Sequence, residues 1–244
     1  MDKMSDSIFI ARDLDWQPPA LTPTYRSTTF RAPTHKPLHF DPTISEITGP
    51  TFGHDMIGEL DNDLIRNYAK TEDGPIGERI MVHGRILDQN ARPIPGVLLE
   101  FWQANAGGRY RHKNDAYLAP LDPNFGGCGR TVTDENGYFS FRTIRPGPYP
   151  WPNGGNDWRP AHIHFSLFGT GFTQRLISQM YFEGDPLIWL CPIVGVIPDK
   201  KGIEQLIARL DMDATIPMDL IAYKFDIILR GKDSTMFENK PEGN

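Results

Sequence analysis

"GRTVTDENGYFSFRTI", residues 129–144, reads as two strands around a turn at Glu135, Asn136 and Gly137. The same reading extends in both directions. Upstream, "GERIMVHGRILD" (77–88) leads through the turn residues "DQNARPIPG" (88–96) into "VLLEFWQAN" (97–105). Downstream come "AHIHFSLFG" (161–169), "TQRLISQMYFEGD" (173–185) and "IAYKFDIILRG" (221–231), each a strand-length run bounded by turn chemistry. Short strands in succession predict a mainly β chain with a sandwich core. Within it, "HGRILDQNARPIPGVLLEFWQ" (83–103) reads as an edge of the prealbumin-like kind. Two short helices are predicted as interruptions. One lies in "GELDNDLIRNYAK" (58–70), where Leu60, Leu64, Ile65 and Tyr68 have helical spacing, and one in "GIEQLIARL" (202–210).

The 244 residues suit one large domain with an extension. Residues 1–55 are rich in Pro and Thr, as in "WQPPALTPTYRSTTFRAPTHKPLHFDPT" (16–43), and have no core-forming pattern. They predict an extended arm laid over the core or over a partner, with residues 56–244 as the β-sandwich domain. A net charge of −6 gives no footprint for nucleic acid or an anionic membrane. No apolar run approaches the ~20 residues of a membrane span, and the N-terminus lacks a signal-peptide core, so the cytoplasm is the default expectation. The two cysteines, Cys128 and Cys191, have no metal-type spacing and are expected as buried, inert thiols.

"GPYPWPNGGNDWRPAHIHF" (147–165) carries the chemistry. Its prolines and paired glycines predict no regular element before residue 161, only a long ordered loop of the kind that builds sites. His162 and His164 follow it on a strand, where residues i and i+2 share a face about 7 Å apart, so both imidazoles can address one point. The HxH pattern alone serves zinc, copper and non-haem iron equally. Structural zinc would want closely spaced cysteines, which are absent, and Asp157 would have to reach back past three residues to complete a two-His, one-carboxylate set. Tyrosine is the other nearby donor type, as Tyr149 in the loop and Tyr110 in "ANAGGRYRHKND" (104–115). A phenol ionises beside a trivalent cation, and two phenolates with two neutral imidazoles leave +1 on ferric iron. That set is self-consistent but remains one option among several.

The chain resembles the intradiol ring-cleavage dioxygenases over roughly residues 16–238. The matching stretches are "LEFWQANAGGRYRH" (99–112), "DPNFGGCGR" (122–130), "GYFSFRTIRPGPYPWPN" (137–153), "NDWRPAHIHFSL" (156–167) and "LISQMYFEGD" (176–185). The resemblance implies a non-haem Fe(III) centre held by Tyr110, Tyr149, His162 and His164. Tyr149 and His164 would be axial, and Tyr149 would leave the iron as a catechol binds. It implies Arg159 as a catalytic cation over the substrate ring, and Tyr25, Trp151, Gln179 and Ile193 as lining of the substrate pocket. The Pro-rich arm resembles the branch of the family in which a homologous, iron-free α subunit completes the active site. A carboxylate-bearing catechol is therefore the expected substrate and a hetero-oligomer of αβ units the expected assembly. The alternatives are enzymes cleaving catechol or hydroxyquinol and, in a different class, a non-enzymatic prealbumin-like binding module. Arg111, Lys113 and Arg130 are the cations available to a substrate carboxylate. His83 and His112 are assigned no role, and Trp102 and Trp158 are expected in the core.

Overall fold

The computed structural model describes residues 19, 21–32, 57–169, 176–229 and 235. Most of the arm predicted over 1–55 lies outside them. Strands β1 (Arg79–Leu87), β2 (Leu98–Gln103), β3 (Cys128–Val132) and β4 (Tyr138–Ile144) fall where the sequence places them. So do β7 (His162–Phe168), β8 (Leu176–Phe182), β10 (Leu220–Lys224) and β11 (Ile227–Ile228). The remaining strands are β5 (Tyr149–Trp151), β6 (Asp157–Arg159) and β9 (Ile207–Ile216). The hydrogen-bonded path runs β11-β1-β10-β9-β8-β7-β2-β3, with β4 on the free side of β1, so β9 is the strand that joins two sheets. Most neighbours are antiparallel, but β1 pairs in parallel with β10 and β11, and β8 with β9.

The two sheets close on an aromatic core. Phe101 of β2 stacks on Phe141 of β4 at 3.9 Å between centroids, and Phe165 of β7 meets Phe139 and Phe141 edge-on. Ile80, Val82, Leu99, Ile163 and Leu167 fill the space between them and are wholly buried. This β-sandwich is the architecture expected from the strand pattern.

Three expectations are corrected. Residues 58–70 form turns, not a helix: Leu64 N–H donates to the Arg142 carbonyl, so the segment is tied across β4, and Leu64 and Ile65 are buried without helical winding while Tyr68 is exposed. The helix expected over 202–210 is one turn, α2 (Lys200–Glu204), after which Ile207 and Ala208 pair with Tyr181 and Phe182 as part of β9. The Pro-rich loop contains a regular element, the two-stranded hairpin β5-β6 with Tyr149 opposite Arg159 and Trp151 opposite Asp157. Prolines tolerate an edge pairing where their missing N–H faces away from the partner strand. A short helix, α1 (Thr28–Arg31), lies in the described part of the arm.

Candidate metal centre

β7 supplies the rigid half of the site. Its core face carries Ile163, Phe165 and Leu167, so His162 and His164 emerge together on the opposite face, His162 buried and His164 half-buried. The other half comes from two irregular segments that touch backbone to backbone, and two glycines permit the approach. A Cβ on Gly147 would lie 2.3 Å from the Ala106 carbonyl oxygen. One on Gly108, whose φ is +81°, would lie 2.4 Å from the Pro148 carbonyl oxygen. Tyr110 follows the first segment and Tyr149 the second. Asp115 pins Tyr110 by accepting its backbone N–H at 2.8 Å.

The four side chains expected from the resemblance converge. Tyr110 Oη lies 3.2 Å from His162 Nε2 and 3.2 Å from His164 Nε2, and Tyr149 Oη lies 3.4 Å from His162 Nε2. These separations lie at the long end of hydrogen-bonding distance. His162 donates Nδ1–H to the Pro160 carbonyl at 2.7 Å, which leaves Nε2 with its lone pair turned to the phenols. Both phenols address that acceptor, so the four polar atoms face one point and have mainly one another as partners. Neighbouring donors about 2.0 Å from a common ion stand roughly 3 Å apart, close to these three separations. Among the described residues no group of three or more His, Cys, Asp or Glu could hold a metal, so a metal set at this point would need the phenols.

Burial and charge hold all four groups neutral unless a cation is present. Burial pushes the Tyr110 phenol well above its ordinary value, and the neighbouring Tyr149 adds to the shift. Burial likewise raises Tyr149, opposed by the Arg159 guanidinium. His162 is held well below the usual histidine range by burial, Arg159 and His164, and His164 is pushed down to about 3 by burial and Arg159. Deprotonated phenols here therefore require compensating positive charge, which a trivalent ion supplies.

Arg159 lies inside the protein. Burial alone would depress its guanidinium, but the phenols of Tyr181, Tyr149 and Tyr110 and the Cys191 thiol around it hold it raised. It donates to the side-chain amide oxygen of Gln179, Oε1, and, at 3.3 Å, to Tyr181 Oη. Tyr25 packs edge-on against Trp151 at 5.2 Å, and the Arg159 guanidinium lies 6.0 Å from the Trp151 ring centre. The arm is fastened there by Asn153, which accepts from Arg26 N and donates to the Thr24 carbonyl, each at 2.8 Å. Gln179 is thus brought to Arg159, and Tyr25 to Trp151. Ile193 packs on a second apolar cluster that contains Cys191 and Tyr181, the latter bonded to Arg159.

Several residues escaped the sequence reading. Tyr181 binds Arg159, yet it could have been found: the β7-β8 register sets His162 against Tyr181 and His164 against Gln179, so "SQMY" presents both to the histidine face. Trp102, expected in the core, is half-buried and stacks on His164, while Trp158 is half-buried and donates to Asn156. Cys191 is buried as expected, but Cys128 is exposed, at the end of β3. Two of the three cations considered for a carboxylate are already engaged. Arg111 donates to the Phe125 and Asp122 carbonyls, and Arg130 is paired with Asp61 at 2.7 Å. Lys113 is exposed. No helix among the described residues is long and apolar enough to cross a membrane.

Comparison with known proteins places this geometry. The dioxygenase family model matches residues 47–231, and a model of the N-terminal segment of protocatechuate 3,4-dioxygenase β subunits matches residues 10–43. The chain is 46% identical over 234 residues to a protocatechuate 3,4-dioxygenase β chain from Burkholderia cepacia, covering 96% of this chain and 99% of the relative. A protocatechuate 3,4-dioxygenase α chain from Pseudomonas putida is 33% identical over 180 residues, or 72% of this chain and 83% of that one. Among solved structures, hydroxyquinol 1,2-dioxygenase from Pseudomonas putida DLL-E4 superposes with a TM-score of 0.53 at 25% identity, covering 84% of this chain and 70% of that chain.

Proposed function

The chain belongs to the intradiol ring-cleaving dioxygenases, and from that premise we propose that it is the β subunit of a protocatechuate 3,4-dioxygenase. It would open 3,4-dihydroxybenzoate with O2 to 3-carboxy-cis,cis-muconate, in the cytoplasm, as part of aromatic catabolism. The observation that carries the proposal is the meeting of two phenol oxygens and two imidazole nitrogens at 3.2–3.4 Å. Tyr110, Tyr149, His162 and His164 would hold a ferric ion, whose Lewis acidity makes a chelated catechol ring reactive toward O2.

The chain's own groups do the rest. Tyr149, as a phenolate, accepts a proton at Oη from a substrate hydroxyl. His162 keeps Nε2 aimed inward through its bond to the Pro160 carbonyl. Arg159 brings a fixed positive charge to where negative charge develops on the ring, and its bonds to Gln179 and Tyr181 fix its direction beforehand. In a water-poor pocket such a donor contributes on the order of 3 kcal/mol, about a hundredfold in rate. Tyr25 and Trp151 form one wall of the ring pocket; Gln179 and Ile193 complete the lining. Because Arg111 and Arg130 are already paired inside this chain, the substrate carboxylate takes part of its binding from a homologous α subunit in an αβ unit.

Co-expression with an α chain tests this. The purified complex should contain iron, show a visible tyrosinate-to-iron band, and turn over 3,4-dihydroxybenzoate far faster than catechol. Faster turnover of catechol or hydroxyquinol would overturn the substrate assignment. A colourless, iron-free complex would overturn the enzyme reading in favour of a binding module.

A further inference from the structure

The two imidazoles are fixed by different means. His162 is locked by its hydrogen bond to the Pro160 carbonyl. His164 has no equivalent: its Nδ1 is buried and has no hydrogen-bond partner among the described residues. A metal-ligating histidine ordinarily donates its second ring N–H to an acceptor, and that bond sets the ring plane. Without it, the ring can turn about its Cβ–Cγ bond, and Nε2 swings off the common point. Another contact has to set the plane of His164.

Trp102 makes that contact. The β2-β7 register places Trp102 directly opposite His164, so the two side chains rise side by side on one face of the sheet. Their rings are parallel to within 3°, with centroids 4.9 Å apart, the geometry of an offset stack. On its other sides His164 meets Tyr110 and His162 at steep angles, 60° and 71°, so the indole is the flat wall that defines its plane. Turning the imidazole out of this plane drives an edge of the ring into the indole. We infer that Trp102 is the positioning residue of His164, performing by stacking what the Pro160 carbonyl does for His162 by hydrogen bonding. This rests on the iron site proposed above. It also makes the two imidazoles unequal donors: an acceptor on Nδ1–H raises the basicity of His162, and no such acceptor acts on His164.

The iron-loaded αβ complex carrying Trp102→Met tests the inference, since Met fills most of the space without a flat face, alongside Trp102→Phe, which keeps one. Iron release to a chelator should be about tenfold or more faster in Trp102→Met, the loss ordinarily seen when such a supporting partner is removed. Its tyrosinate-to-iron band should shift, and Trp102→Phe should stay close to wild type in both respects. A Trp102→Met complex that keeps the wild-type release rate and spectrum overturns the inference. If the Met variant does not fold, Trp102→Phe decides alone: iron release tenfold faster than wild type would show that a flat face does not suffice. A wild-type complex without iron would instead defeat the proposed function, so the two failures are distinguishable.

Discussion

The two faces of β7 differ in what they contribute. On one, Ile163, Phe165 and Leu167 are sealed into the sandwich core, and burial of each such side chain favours folding by roughly 1.5–3 kcal/mol. On the other, a residue away in each case, His162 and His164 turn their Nε2 atoms toward two phenols at 3.2–3.4 Å. The strand's period of two assigns stability to one side and chemistry to the other. A residue on the core face is chosen for shape; one on the donor face is chosen for what it can bind, at some cost to the iron-free fold.

That division can be broken by substitution. His162→Ala should have the largest effect, removing a ligand together with its anchor on Pro160. Iron content measured by metal analysis should collapse and ring cleavage should fall below detection, while denaturant unfolding of the iron-free protein changes little. Phe165→Ala, only three positions away, should do the reverse. It should cost about 3–5 kcal/mol in unfolding free energy, yet leave iron per folded molecule unchanged. If either variant showed the other's phenotype, the two faces would not be separable. The smallest effect sharpens the comparison by pH. Burial holds the folded-state pKa of both histidines below 6.5, so below that pH the unfolded chain binds more protons than the folded one. The stability of the iron-free protein should therefore be full above about pH 6.5 and decline as pH falls toward 3. Each histidine contributes up to about 1.4 kcal/mol per pH unit. Unfolding midpoints across this range, compared with those of His162→Ala, check the slope; equal slopes would mean that His162 does not contribute.

Much of this was legible in the sequence, and the failures have physical causes. Period-two runs such as "RIMVHGRIL" and "HIHFSLF" give their strands away because the core enforces alternation or full burial. The helix expected at 58–70 was not there because Leu60, Leu64, Ile65 and Tyr68 fit a helical stripe by spacing alone, whereas a tertiary bond from Leu64 to Arg142 decides the path. The β5-β6 hairpin was hidden by its prolines, which weaken strand propensity without forbidding an edge pair. In the site, the histidine pair follows from strand geometry. No local rule brings Tyr110 and Tyr149 to it, since both stand outside the main sheet; donor chemistry offered them as one option, and the resemblance singled them out. Trp102 was misplaced because a large aromatic on a strand is core by default, and its partner across the sheet is known only once the register is.

The contact between the two tyrosine-bearing segments carries one more consequence. Gly108 and Gly147 bring no atom that could donate or accept at the metal, yet any larger side chain at either position would push against a carbonyl oxygen under 2.5 Å away. The span between the phenols is thus dictated by hydrogen atoms standing where carbon would be too big. Grip on the proposed ion would depend on two residues that never touch it, and swapping either for alanine would loosen the pincer from behind.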